Sequence, residues 1–599
     1  MSKLKLALAQ FGNSYGGQQA LPLSVGCLWS YAKKEGLSTE YENPVFLYKK
    51  EAVSKVVARI PEDVDIVAFS AYIWNWRFSR AVAEAILEKS PKAAIVYGGV
   101  HVPDSPTEEW WQQHIECDYV LRGEGELSFA SFLQQFAAKD SQRDWSKVPG
   151  LSIRGLNTER KQPPVNDLTS PYLDGTFDSL LPLEEKWTGL QESDRGCPYF
   201  CSFCMWGDSA LNKIRQFPMN RVTEEITWFG KNRVEFVEGA NANFGILPRD
   251  VQIAEHLAKT KEKYGFPQKY RAAFAKYSNK RIMDQVFSVA SILNKSGQLK
   301  AVTLALQSTD DGVLESIDRK NISMSGFQEL QERYKKDGIP TYIELIMGLP
   351  GETYSSFKAG IDKILNAGGH EGLSIYQCVI LPNSEMDNPE YIKKHGLQSV
   401  PMRAMLLHGT PNKECPDEVQ ETVIATNSMP HEDWKKTWFL SWALQTFHST
   451  HLTQWWAKEQ SALGTPYSCF YERLIRTAEQ WPESVLGRVY AHTSALLEAA
   501  IQGGSWDNVL PGFGDISWPP DEGAFLMIAK ELHLFYSQMK LLKDMPVQQW
   551  EYGPPEIPQG KEEAYGKVFW YSRKGDLIGS LRKFIEECKE ESKRRLCDD

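Results

Sequence analysis

Short runs of β-branched and aromatic residues alternate with longer stretches of helical spacing through the first two thirds of this chain, and that alternation leaves few folds open. LKLALAQF, DIVAFSAY, AAIVYGGV and CDYVLRG read as strands, whereas LPLSVGCLWSYAKKEG, RFSRAVAEAILEKS and ELSFASFLQQFAAKD carry helical periodicity. This order predicts a parallel sheet with helices on both faces and right-handed crossovers. Ligands of such sheets bind beyond the carboxyl ends of the strands, where residues 10–17, 70–77, 98–103 and 122–126 converge.

Residues 160–185, RKQPPVNDLTSPYLDGTFDSLLPLEE, break the pattern and read as a linker. A second series follows, with RVEFVEG, YRAAFAK, KAVTLALQS, TYIELIMG and GLSIYQCVIL as strands between helical segments. Repeated βα units of this length fit a full or partial TIM-type barrel, with its chemistry at the C-terminal strand ends. Beyond about residue 382 the text turns helical and rich in aromatics, a candidate cap. The expected division is a Rossmann-like α/β domain at 1–155, a linker at 156–190, a barrel at 191–400 and a mainly helical domain at 401–599.

The loop opening the second series, RGCPYFCSFC, crowds Cys197, Cys201 and Cys204 into a C-x3-C-x2-C pattern, although the chain holds only ten cysteines. Structural zinc takes four ligands in paired short spacings, so zinc would need a distant fourth residue. Iron–sulfur clusters group their thiolates in one loop, and three thiolates on a [4Fe–4S] cluster leave one iron open to a chelating ligand. Seven other cysteines are scattered, unlike a secreted disulfide framework, and MSKLKLALAQFGNS reads as a first strand. A formal charge of -10 argues against a polyanionic partner. The expectation is a cytoplasmic monomer with no nucleic acid or membrane partner and a small organic molecule or peptide as substrate.

The motif CPYFCSFC resembles the cluster loop of the radical S-adenosylmethionine (SAM) family, in which SAM chelates the open iron. The resemblance implies Phe203 beside the adenine or cluster, Glu238 and Gly239 of VEGANAN near the SAM amino group, and Gln307 and Ser308 near its ribose and carboxylate. It also implies that Gly348 and Pro350 of IMGLPGET lie in a loop close to the cofactor. VEGANAN departs from the family's double-glycine form, and each short segment by itself fits a plain turn.

Together with the preceding sheet, the barrel resembles the cobalamin-binding branch of that family over about residues 1–400. The resemblance implies cobalamin contacts from Gly12, Asn13, Ser70, Tyr72, Gly98, Gly99, Gly123 and Glu124. The branch's usual Asp-x-His-x-x-Gly loop is missing, since the first strand runs into QFGNSYGG. His101 is therefore read as a tail-pocket or structural residue, and Trp74, Trp76 or Arg77 as the cover below cobalt. A flavodoxin-like domain without a ligand is the rival reading.

The implied reaction is C-methylation: a methyl group passes from SAM by way of cobalamin to a substrate carbon, with a flavodoxin or ferredoxin as reductant. Cyclisation or ring contraction without methylation stays open. So does polar transfer to an aromatic carbon, as in the tryptophan C2-methylating branch of similar length and layout, and so does a non-catalytic cobalamin sensor. Tyr277 and Glu344, on expected barrel strands, are candidate acid–base or orienting residues. In the helical region Trp438, Trp442, His448, His451, Trp455, Trp456 and Tyr467 read either as an aromatic pocket or as core.

Overall fold

The computed structural model describes residues 2–14, 18–181, 186–207, 213–275 and 279–544. They fall into two units: residues 1–300 with two returning segments, 380–391 and 412–420, and a second unit made of the remainder.

The first unit opens with β1 (Leu6–Gly12), β2 (Gln18–Ala20), α1 (Leu23–Lys34), β3 (Val45–Lys49), α2 (Val53–Ala58), β4 (Ile66–Ser70) and α3 (Trp76–Lys89). It continues through β5 (Ala94–Gly98), α4 (Glu108–Gln113), β6 (Tyr119–Leu121), α5 (Gly125–Ala137), β7 (Leu151–Ile153) and β8 (Leu156–Asn157). The sheet order is β3-β1-β4-β5-β6-β7-β8, parallel through β6 and antiparallel after it. Without β2, which belongs to another sheet, the parallel strands run 2-1-3-4-5. That doubly wound order opens its crevice where the direction of winding reverses, at the carboxyl ends of β1 and β4. Helices cover both faces, so Ala7, Leu8, Val67 and Ala68 on neighbouring strands are all buried, and Phe11 meets Phe78 of α3 edge to face at 4.8 Å.

The second sheet of this unit contains β9 (Lys186–Gln191), β12 (Phe236–Phe244) and β13 (Lys269–Phe274), in the parallel order β13-β12-β9-β2. Two short strands, β10 (Asp194–Arg195) and β11 (Arg215–Gln216), flank the cysteine loop, and α6 (Met219–Lys231), α7 (Arg249–Tyr264) and α8 (Lys280–Lys295) make the crossovers. One face packs on these helices; Gly189 must lack a side chain because a Cβ there would sit 2.6 Å from the Phe229 ring of α6. The other face stays open, so along β12 Val237, Gly239, Asn241 and Asn243 are buried while Glu238, Ala240 and Ala242 are partly exposed. Pairing of β2 with β9 ties the chain after β1 directly to the first strand of this sheet.

The second unit holds a parallel sheet of β14 (Val302–Gln307), β15 (Thr341–Met347) and β16 (Leu373–Gln377), with α9 (Asp311–Ser316), α10 (Met324–Lys336) and α11 (Tyr354–Asn366) between them. Its helical end comprises α12 (His431–Ala443), a π-helical turn at Leu444–Ser449, α13 (Gln454–Ala462), α14 (Tyr467–Gln480), α15 (Val485–Ile501), α16 (Pro520–Lys530) and α17 (Leu532–Asp544). Trp434, Trp456, Trp518 and Tyr471 are fully buried here. Trp438, Trp442 and Tyr467 are buried as well, and His448 bonds to His370 and the Tyr471 hydroxyl, so these aromatic residues form core. No helix among the described residues is long and apolar enough to cross a membrane.

Candidate functional site

The loops at the reversal point are built around Asn75, which is completely buried. Its Nδ2 donates to the carbonyls of Phe11 and Ser70, and its Oδ1 accepts from the Tyr72 amide, so one side chain joins the ends of β1 and β4. Ser24 Oγ lies 2.7 Å from Gln10 Oε1 and 2.9 Å from Ser70 Oγ, leaving a small cluster of hydroxyls at the same place. Gly99, with φ +98°, would bring a Cβ within 2.6 Å of the Ala71 carbonyl oxygen, so only glycine lets the β4 and β5 loops meet. Gly98 has a milder constraint, with the Leu121 oxygen 3.2 Å from a Cβ position, and Gly12 and Asn13 are partly exposed at the end of β1.

Tyr72 and Trp74 stack at 4.4 Å, and Trp74 is 48% exposed, as Val100 is at 44%. Trp76 instead packs inward against Tyr97, His101 and His114, while Arg77 is exposed at the start of α3. Burial pushes His101 down to about 4, helped by His114, so its ring is neutral at pH 7, and its Nδ1 is buried without a partner. The returning segments brace these loops. Glu418 accepts from the Arg77 and Phe78 amides and pairs with Lys50, whose Nζ also donates to the Trp74 carbonyl. Asn383 donates to the carbonyls of Val100 and Val102.

Cys197 and Cys201 are buried and Cys204 is partly so; the Cys204 amide donates to the Cys201 carbonyl, and Phe203 is half-buried. Among the described residues no three acidic, histidine or cysteine side chains converge on a single ion. Arg195, two residues ahead of Cys197, fixes the loop by pairing with Glu126 at 2.7 Å, Glu192 at 2.9 Å and Glu124 at 3.1 Å. Glu124 also meets Arg215, which lies opposite Arg195 in the β10–β11 pair, so both flanks of the loop are held to the end of the first sheet. Gly123, at φ +80°, makes the turn that presents Glu124.

At the end of β12, Asn243 donates from Nδ2 to Cys197 Sγ at 3.1 Å, and Asn241 donates to Ser193 Oγ and Asp194 Oδ2. Burial raises Asp194 to about 6 against the pull of its Ser193 and Asn241 bonds, and raises Asp250 to about 7. Glu238 and Gly239 lie earlier on the strand. Glu238 faces Arg271 at 3.8 Å on the open side, and a Cβ on Gly239 would clash with the buried Tyr270 hydroxyl. Tyr277 lies outside the described residues.

In the second unit Gln307 ends β14 at φ +63°, with its Oε1 buried and unpartnered. Ser308 Oγ bonds to Glu352, whose carboxyl burial lifts to about 8. Gly348, at φ +80°, rests against Trp434, and Pro350 is buried in the same loop, which Thr353 ends with a capping box on α11. Glu344 is partly exposed in the middle of β15, 3.5 Å from the Tyr376 hydroxyl.

The observed groups fit three cofactors. The donor set of three cysteines, with an amide bonded to one sulfur, fits an iron–sulfur cluster. The exposed Trp74 and Val100 and the partly exposed Tyr72 around glycine loops and buried hydroxyls fit a large flat macrocycle with a polar tail. The orphaned Gln307 Oε1 at a strand end fits a polar cofactor such as SAM.

A family model described as B12 binding domain matches residues 30–133, and one described as Radical SAM superfamily matches residues 193–364. The chain is 35% identical over 551 residues to the cobalamin-dependent radical SAM methyltransferase TokK of Streptomyces tokunonensis, covering 87% of this chain and 79% of that protein. It is 38% identical over 488 residues to 2-(S-pantetheinyl)-carbapenam-3-carboxylate methyltransferase of Streptantibioticus cattleyicolor, covering 78% and 70%. Its fold is similar to that of the cobalamin-dependent SAM radical enzyme OxsB with aqua-cobalamin and SAM bound, at TM-score 0.55 and 14% identity over 98% of this chain and 84% of the other. It is also similar to TsrM from Kitasatospora setae with cobalamin and a [4Fe-4S] cluster bound, at TM-score 0.52 and 15% identity over 74% and 88%.

Proposed function

Since the chain belongs to the cobalamin-dependent radical SAM methyltransferases, we propose that it methylates a carbon of a small carboxylate of the carbapenam kind bearing a pantetheinyl thioether. The observation that carries this substrate class is the 38% identity, over 78% of the chain, to a methyltransferase named for such a substrate. The likeness to TsrM, one of whose structures holds a tryptophan substrate, is one of fold at about 15% identity and gives no comparable support for an indole.

When bound, SAM supplies the methyl group and the means of hydrogen abstraction, the [4Fe–4S] cluster supplies the electron, and cobalamin relays the methyl. The chain's part is to hold and orient. Cys197, Cys201 and Cys204 are the cluster ligands, and the Arg195 ion pairs keep their loop in one geometry. Asn75 fixes the ends of β1 and β4, so Tyr72 and Trp74 are presented as a preformed apolar platform for cobalamin. His101, neutral and packed on Trp76, serves as a structural side chain of that pocket. Gln307 and Ser308 contact SAM from the end of β14, Gly348 and Pro350 shape the adjoining loop, and Glu344 with Tyr376 orients substrate. A flavodoxin or ferredoxin reduces the cluster, and the enzyme acts as a cytoplasmic monomer, where buried thiols such as Cys27, Cys117 and Cys378 stay reduced.

Anaerobic reconstitution with methyl-labelled SAM and 2-(S-pantetheinyl)-carbapenam-3-carboxylate tests the reading. Labelled product, with S-adenosylhomocysteine and 5'-deoxyadenosine formed in matching amounts, is the expected result. Methylated product without 5'-deoxyadenosine would move the assignment to polar transfer. Substrate-dependent 5'-deoxyadenosine with no label in product would move it to cyclisation or ring contraction.

A further inference from the structure

We propose that Asn243 sets the reduction potential of the cluster through the N–H···S hydrogen bond it donates to Cys197. The inference rests on Cys197, Cys201 and Cys204 being the cluster ligands. Asn243 and Cys197 are each 5% exposed, and Nδ2 lies 3.1 Å from Sγ, a close contact for a sulfur acceptor. Water competes poorly for a bond buried to this degree, and the low local dielectric strengthens it.

Two features keep the amide in place. Asn243 is near the end of β12, and two residues earlier Asn241 donates to Ser193 at 2.8 Å and to Asp194 at 2.5 Å, pinning the strand end to the segment that leads into the loop. Arg195 anchors that segment from the other side through its three carboxylates. The side-chain oxygen in place of the nitrogen would face a sulfur that carries negative charge, so the electrostatics favour the donor orientation.

Reduction adds one electron to the cluster and spreads negative charge onto its sulfurs. A donor fixed on one of them is therefore bonded more strongly in the reduced form than in the oxidised form, which raises the potential. Asn243 is the positioning residue of this effect: it acts on the electron through Cys197 and needs no contact with substrate.

Asn243→Leu keeps the approximate shape and removes the donor. In the reconstituted enzyme, an EPR-monitored redox titration should show the reduced-to-oxidised ratio at a fixed potential falling about tenfold, a midpoint lower by about 59 mV for a one-electron couple. The wild-type enzyme labelled with 15N-asparagine gives a second readout. ENDOR of its reduced cluster should show a coupled 15N nucleus and an exchangeable proton that is replaced in D2O. A change of less than threefold in Asn243→Leu with full iron content overturns the proposal. So does the absence of both couplings in wild type, which decides the matter even where Asn243→Leu fails to assemble a cluster. Full iron retention in Cys197→Ala would overturn the ligand assignment itself, a result distinct from an unchanged potential.

Discussion

Replacing Arg195 with Met should loosen the cluster loop more than any other single change nearby. The Arg195 side chain is 13% exposed, Glu126 6%, Glu124 11% and Glu192 16%, so removing the cation strands Glu126 and Glu192 in a largely dry site, while Glu124 keeps Arg215. Removing one partner of a buried pair costs about 3–5 kcal/mol. Taken at about 3 kcal/mol, local opening becomes on the order of 100-fold more frequent. Hydrogen exchange by mass spectrometry should show that acceleration in peptides covering 192–200 and 215–217, with peptides from β15 and β16 unchanged. The pH dependence carries a sign. Burial pushes the Glu126 carboxyl up, but Arg195 more than offsets it and holds it below 4.5, so in wild type its contribution is present above 4.5 and is lost as pH falls through the lowered value. In Arg195→Met the remaining burial raises the same carboxyl, and protection should instead improve as pH falls from 7 toward 5. A change of less than threefold, or acceleration with the wild-type pH trend, would refute the ion-pair account.

Gly99→Ala should destabilise the first unit by at least about 2 kcal/mol and weaken cobalamin binding, because the new methyl overlaps the Ala71 backbone at a positive φ; thermal melts and a cobalamin titration check both. Glu418→Ala removes the acceptor for two amides at the start of α3 and the partner of Lys50, costing about 2 kcal/mol, and cobalamin affinity by visible absorbance should fall about tenfold. Glu352 has a folded-state value of about 8 against 4.5, so the stability it contributes is full below 4.5 and is lost as pH rises toward 8; Glu352→Gln should gain thermal stability on wild type across that range, and a constant difference between the two would sink the assignment.

The fold was legible where burial is two-sided. β1, β4 and β5 are covered on both faces and read as apolar runs, and β6 follows them, so the sequence pattern alone places the crevice. β3 carries no such run, because it is an edge strand paired only to β1, and three of its five residues are half-buried. Residues 18–20 are too short to carry a periodicity, and only their pairing with β9 shows them to be a strand. The helical aromatics left pocket and core both open, with core the commoner outcome of such spacing, and burial of Trp438, Trp442 and Trp456 gives core.

In the site, the cysteine loop was visible because Cys197, Cys201 and Cys204 fall within eight residues of sequence. The residues that hold it were not, because charge pairing obeys distance in space. Arg195 reaches 71 residues back to Glu124, and Glu418 accepts from the amide of Arg77, 341 residues earlier, at the start of α3. VEGANAN shows the same limit at short range. Glu238 and Gly239 stand out as an acid and a glycine, yet strand alternation puts Asn241 and Asn243 on the buried face and at the strand end, where one meets Asp194 and the other Cys197. The period-2 rule applied to that segment from Val237 onward sets Glu238 apart from Asn241 and Asn243. What it cannot supply is which buried residue reaches Cys197, because Gly239 shares the face of Asn243 and lies against Tyr270 and the Arg271 carbonyl instead. Position along the strand decides that, since the chemistry of a βα series gathers at the carboxyl ends.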